Sequence, residues 1–294
     1  MRSFVREIFS SLRAYEWLTL GYLLFLNTLI LLFHRNLAHP WRFFFAHFGV
    51  AAAIVALCYA AERRPGRIVR FWRHWYPFVL FIGFFEELHF LSRLVHARWF
   101  DEALLAFDYA VLGAHPTLWL EQFASPLLND AMAFAYMTYY FYTVVLVGIL
   151  YVRGELAAFR TTMLGTAIAY CCGYVIALLW PMEGPYHTLG HLQKVAQLDG
   201  YVFTAVMNVV QGVGRVHGAA FPSLHVAGAT VAVLAAWRYR RWLFWVFLPL
   251  YLAMLIATMY GRYHYFADLP AGFALGVLGF WLARKWEGRN EVRR

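Results

Sequence analysis

What most constrains this chain is the length of its apolar stretches. They run for roughly 17 to 22 residues each, the length a helix needs to cross a hydrocarbon core of about 30 Å. A soluble domain is about 25% charged, whereas here only 14% of residues are charged and 62% are hydrophobic. Too few polar side chains remain to coat a water-facing surface. Aromatic residues make up 20% of the chain, and many of the 12 Trp and 19 Tyr stand near the ends of the apolar blocks. Amphipathic rings suit the membrane interface.

About eight blocks qualify, over residues 17–33, 43–61, 75–92, 131–152, 161–181, 219–237, 242–260 and 264–283. Lipid offers no partners for backbone N–H and C=O groups, so each block is expected to be a helix. Barrel strands would alternate polar and apolar residues, and these blocks do not. The expected class is an all-α integral membrane protein of about eight transmembrane helices. The first block is too long for a cleavable leader and has no small-residue cleavage site after it. With the N-terminus inside, 18 of the 25 Lys and Arg fall on cytoplasmic segments. The bias predicts both termini in the cytoplasm. It also accounts for the net charge of +9 without a nucleic-acid partner. Arg63, Arg64, Arg67, Arg70 and Arg73 read as a topology anchor, with binding of inner-leaflet phosphates as the lesser alternative.

Neither a repeat nor a low-complexity linker interrupts the chain, so residues 1–294 are expected to form one membrane domain. Two outer segments, 96–130 and 182–218, carry short helices suited to the interface. Trp99, Asp101, Glu102, Asp108, His115, Trp119 and Glu121 are interleaved with apolar runs in the first of these. Cys58, Cys171 and Cys172 sit inside apolar blocks without metal-ligand spacing and read as small buried hydrophobes.

The chemistry gathers in the last three blocks. The sixth opens with Phe221-Pro222-Ser223-Leu224-His225. Pro and Ser are ordinary helix-start residues, and unpaired N–H groups at a helix start attract anions. The eighth opens with Tyr260-Gly261-Arg262-Tyr263-His264-Tyr265-Phe266-Ala267-Asp268. On a helix, the i, i+4 spacing of His264 and Asp268 puts both on one face, where the carboxylate orients the imidazole. Taken singly, one segment reads as a capped helix start and the other as a surface ion pair. Topology joins them: blocks six and eight both start on the outer side, which brings His225, His264 and Asp268 to one face at one depth. Two histidines, a carboxylate and a helix N-terminus suit phosphoryl transfer, one His attacking phosphorus and the other protonating the leaving oxygen.

Pro222-Ser223-Leu224-His225, followed by His264-x-x-x-Asp268 at the head of a later block, resembles the phosphatidic acid phosphatase type 2 superfamily. The resemblance covers roughly residues 130–283. Thr258-Met259-Tyr260 and His264-Tyr265-Phe266-Ala267-Asp268 are most similar to the branch containing inositol phosphorylceramide synthase. The resemblance implies a six-helix core, a phosphohistidine on His264, orientation of His264 by Asp268, and acid–base work by His225. It also implies that Ser223 and nearby N–H groups hold phosphate oxygens, and that neither a cofactor nor a metal is needed. Three positions depart from the phosphatase branch. Leu224 stands where that branch has Gly, and Thr258 where it has Arg. Trp180-Pro181-Met182-Glu183-Gly184-Pro185-Tyr186 replaces a motif that carries Lys and Arg-Pro. Arg262 is the candidate replacement for the phosphate clamp, with a solvated loop charge as the equal alternative. Lys194 and Arg215 are lesser candidates.

Tyr186 is a further substrate-binding candidate, as are Glu86 and His89 near the outer end of the third block. Carboxylates in a span usually face a cavity, and these suit a polyol head group. The alternative pairs Glu86, Glu87 and His89 with Arg93 or another outer basic residue. His187 and His191 share i, i+4 spacing but lack a third ligand, so no metal is expected. The expected activity is lipid phosphotransfer on the outer leaflet, from a phosphorylated lipid to an alcohol. Hydrolysis of lipid phosphates is the alternative. Outside enzymes, a proton-coupled transporter would use His264 and Asp268 as a relay, but titratable residues are sparse at mid-block. A purely structural membrane protein fits the clustering of reactive residues least well.

Overall fold

The computed structural model describes residues 11–64, 66–195, 197–214 and 216–292. Three long helices come first: α1 (Ala14–Phe33), α2 (Pro40–Arg63) and α3 (Arg67–Leu91). Short helices α4 (Asp101–Leu112) and α5 (Pro116–Glu121) then cross one end of the bundle. They lead into α6 (Pro126–Met137), α7 (Tyr139–Val152) and α8 (Leu156–Leu179). A second outer segment holds α9 (Pro185–Thr188) and α10 (Val202–Gly214). Helices α11 (Leu224–Tyr239), α12 (Arg241–Tyr260) and α13 (Asp268–Val292) complete the fold. The described residues include no strand, only an isolated bridge between Met182 and Ala219.

Among the described residues, five helices are long and apolar enough to cross a membrane: Ala14–Asn36, Pro40–Arg63, Pro126–Val152, Leu156–Leu179 and Arg241–Tyr260. The other three blocks read from the sequence are helical too, as α3, α11 and α13. Length or charge keeps them out of that group. Helix α11 has 16 residues, α3 carries Arg67, Arg70, Arg73, Glu86 and Glu87, and α13 starts at Asp268 and runs into Arg284 and Lys285.

Helix α8 sits at the centre, packed on α1, α3, α11 and α13. In a membrane, lipid is as apolar as leucine, so helices associate through close packing and polar contacts rather than through burial. Gly272 and Gly276 on α13 supply the close packing. A Cβ on Gly272 would meet the Ser223 carbonyl at 2.3 Å, and one on Gly276 would meet that of Ala227 at 2.6 Å. This approach seats the start of α13 against the start of α11. Polar contacts tie in the first three helices. His47 on α2 bridges Asn27 of α1 and Glu87 of α3, at 2.6 and 2.7 Å. Glu87 is therefore not paired with Arg93, which bonds the Ala97 carbonyl and lies over Trp99.

Arg73 differs from the rest of its run. It is 5% exposed and lies between Glu16 and Glu62, while Arg63, Arg64, Arg67 and Arg70 are exposed. Cys58 and Cys171 are buried and Cys172 half-buried, all as free thiols.

Candidate active site

Pro222 and Ser223 start α11, and the Ser223 Oγ accepts from the Val226 N–H at 3.3 Å. Ser223 is fully buried and its N–H donates to the Asp268 carbonyl at 3.2 Å. Its hydroxyl thus caps the helix, as Ser at this position commonly does. One turn on, His225 faces the end of α12 and the turn before α13.

That turn corrects one expectation. His264 and Asp268 do not share a helix, because α13 begins at Asp268 and residues 261–267 form a tight turn. The pair forms regardless. Asp268 Oδ2 accepts from the Tyr265 N–H at 2.8 Å and lies 3.0 Å from His264 Nδ1. The Ala220 carbonyl is 2.8 Å from the same Nδ1. Two acceptors on one ring nitrogen require that it carry the proton, which leaves Nε2 with its lone pair. His264 Nε2 lies 2.8 Å from His225 Nδ1, and His225 Nε2 lies 2.7 Å from the Tyr136 hydroxyl. The chain Asp268–His264–His225–Tyr136 is therefore a single directed run of hydrogen bonds.

The turn is clamped from outside. Asp108 on α4 accepts from the Phe266 and Ala267 N–H groups at 2.8 and 3.0 Å. Burial pushes the Asp108 carboxyl up from the ordinary carboxylate range, and the two N–H donors act against that shift. Asp101, two turns earlier on the same helix, accepts from the Tyr265 hydroxyl at 2.7 Å. It also accepts from the Glu183 and Gly184 N–H groups at 3.0 and 2.9 Å. One helix thus fixes both the turn carrying His264 and the loop that replaces the first phosphatase motif. Neither aspartate stood out in the sequence beyond its place in a mixed segment, nor did Tyr136. Their one readable trace is the spacing of Asp101 and Asp108, seven residues apart on one face of an apolar helix.

A cavity of about 80 Å³ opens beside His225 and His264. Tyr136, Tyr139, Tyr186, His187 and Arg262 help to wall it. Arg262 is only 3% exposed and has φ of 65°, so it is not a solvated loop charge. Its guanidinium donates to the Val195 carbonyl at 2.6 Å and lies 3.8 Å from Glu121. Beyond Arg262 and Tyr263 lies a chamber of about 390 Å³ lined by Asn129, Thr204, Asn208 and Gln211. Tyr186, Gln211, Arg262 and Tyr263 line both spaces. On the opposite side, an apolar slot of about 290 Å³ reaches His225.

Other candidates are scattered. Glu86 lines the slot but not the cavity beside His225 and His264, and His89 is exposed against Phe90. Lys194 is exposed, and Arg215 lies outside the described residues. His187 and His191 do not share a helix, since α9 ends at Thr188, and the His187 ring instead lies 4.0 Å from that of His217.

Residues 102–282 match the PAP2 superfamily. The chain belongs to that superfamily. Neither the curated proteins nor the solved structures hold a match to it. Membership of the PAP2 superfamily makes the chain an enzyme of phosphatase or phosphotransferase type. Helices α1–α3 lie outside the matched segment. The departures from the phosphatase branch have local explanations. Leu224 packs into the space left by Gly173 on α8, where a Cβ would meet its Cδ2 at 2.3 Å. Thr258 is fully buried, and its carbonyl accepts from the Tyr263 and His264 N–H groups at 2.9 and 3.2 Å.

Proposed function

We propose that this PAP2 protein is a lipid phosphotransferase that works through a phosphohistidine on His264. The observation that carries the reading is the directed chain from Asp268 through His264 to His225 in the wall of a cavity. His264 Nε2 attacks phosphorus as the bond to the leaving oxygen breaks. His225, protonated as the anionic substrate enters, gives that oxygen its proton, with the Tyr136 oxygen accepting the other ring N–H. In the second half, His225 takes the proton of an acceptor hydroxyl, whose oxygen displaces His264 from phosphorus. Asp268 holds the His264 ring and stabilises its positive charge. Substrate has to replace the 2.8 Å contact between the two rings, so that contact marks the resting state.

Arg262 is the phosphate-binding cation, a role that suits a buried guanidinium in the cavity wall. Tyr186 reaches both spaces and contacts the head group. Transfer is favoured over hydrolysis because the neighbouring chamber presents the amides of Asn129, Asn208 and Gln211 and the Thr204 hydroxyl beside Arg262, and has room for an alcohol. Water in the same place gives the phosphatase reaction. The inositol phosphorylceramide synthase-like branch remains the nearest resemblance. In this reading the apolar blocks make eight spans, the basic residues put both termini in the cytoplasm and the site on the outer leaflet, and 1–294 is one membrane domain with 130–283 as its core.

Purified protein supplied with labelled phospholipid, with and without alcohol acceptors, tests the reading. A new phospholipid is expected, whereas free phosphate alone would favour hydrolysis. His264→Ala is expected to reduce turnover to background without altering the fold. Activity retained in that folded variant would overturn the phosphohistidine.

A further inference from the structure

Helices α1 and α13 both pack on α8, and they are held differently. Against α13 the packing is close, since a Cβ on Gly279 would meet the Gly165 carbonyl at 2.6 Å. Against α1 the ring of Tyr22 lies 6.0 Å from that of Tyr174, further along α8. Nearer the start of α1 a groove of about 600 Å³ stays open between α1 and α13. Leu18 of α1 and Leu164 and Ile168 of α8 make it apolar. Trp17, Trp281 and Trp286 also line it, each about half exposed. The groove is remote from the chemistry, because Trp286 stands about 27 Å along α13 from Asp268.

One charged residue lines this groove. Lys285 is exposed, and its Nζ stands 3.7 Å from the centre of the Trp281 ring. Glu287 does not cancel that charge, since it is paired with Arg160 at 3.6 Å. Arg284 adds an exposed cation next to Lys285. Indoles sit at the head-group level of a bilayer, and basic pockets between helices on the cytoplasmic side recognise anionic head groups. The groove therefore complements each part of such a lipid: the ammonium its phosphate, the indoles its head-group region and the apolar side chains its acyl chain.

We propose that the groove holds a phospholipid with an anionic head group, drawn from the inner leaflet, and that this lipid ties α1 to the α8–α13 pair. Only the orientation of the chain is taken from the reading above, and none of its chemistry. Helix α1 lies outside the segment that matches the superfamily and α8 lies inside it, so the lipid joins an added helix to the core.

The probes are dioleoylphosphatidylglycerol and dioleoylphosphatidylcholine, which share their chains and phosphate and differ in net charge. Binding is measured by thermal stabilisation of the His264→Ala chain in detergent, so that no turnover intervenes. The anionic lipid is expected to bind about 5-fold or more tightly, the worth of one cation at a membrane surface. Adding Lys285→Gln is expected to lower that ratio by about 5-fold. Replacing two exposed arginines elsewhere, Arg67→Gln with Arg70→Gln, is expected to leave it unchanged. Leu282→Trp, which fills the groove without changing charge, is expected to weaken both lipids. Equal affinities for the two lipids, a ratio untouched by Lys285→Gln, or an equal fall in the arginine variant would overturn the proposal. Undiminished binding in Leu282→Trp would also overturn it, by placing the lipid elsewhere. Both lipids are scored as ligands alone, so the result stands whether or not the protein proves to be a phosphotransferase.

Discussion

Two buried polar networks sit at opposite ends of α3, and they are built on opposite rules. At one end Arg73 uses every nitrogen. Nε and Nη2 reach Glu16 at 3.0 and 3.2 Å, Nη1 reaches Glu62 at 2.6 Å, and Nη2 also reaches the Ser11 carbonyl at 2.6 Å. At the other end, Asp268 is fully buried, its Oδ1 has no hydrogen-bond partner, and the chain it starts finishes on a ring that borders a cavity. A network in which every nitrogen of the buried cation has an acceptor resists change and holds helices in register. A network that leaves polar capacity unused retains something to offer a ligand. The first ties α1 to α3. The second runs to the wall of a cavity.

That contrast can be broken by substitution. The largest effect is expected for Asp268→Asn. The amide can still accept from Tyr265, but the negative charge behind His264 is gone, so turnover should fall by about 10²- to 10⁴-fold. The unfolding midpoint should move little, and a large loss of stability with turnover intact would place Asp268 in the structural class. Arg73→Met is expected to do the reverse. It leaves Glu16 buried without its partner, which costs about 3–5 kcal/mol. Thermal unfolding in detergent reads that loss, and turnover per folded molecule should be unchanged. A drop in turnover at full stability would show that the two ends communicate. Tyr136→Phe should have the smallest effect. It removes one neutral hydrogen bond to His225, worth about 0.5–1.5 kcal/mol, so turnover should change by less than about 10-fold. A larger fall would make Tyr136 part of proton transfer.

The two ends also differed in how far they could be read in advance. His225, His264 and Asp268 were legible because their spacing and their positions at block starts are local features. Their supports were not. Asp101 lies 164 residues from the Tyr265 hydroxyl it binds, and Asp108 lies 158 residues from Phe266. Arg73 reads as one more topology anchor in its run of arginines, and its burial between Glu16 and Glu62 is not legible there. Its partner Glu16 is 57 residues away, and nothing in the run itself marks the exception.

By itself, the sequence determined the helical membrane class, since an apolar block of span length has one stable form in lipid. It also singled out His225, His264 and Asp268 as candidates, because reactive side chains at block starts are costly without a use. The tertiary structure alone decided the working arrangement. It ended α12 and started α13 so that His264 falls in a turn rather than on a helix. It brought Ser223 onto Asp268 through the space left at Gly272, and laid Asp101 and Asp108 across the turn. It placed Glu86 in the slot and Glu87 on His47. Each of these depends on which helices approach one another and how closely, and hydropathy along one chain is blind to both.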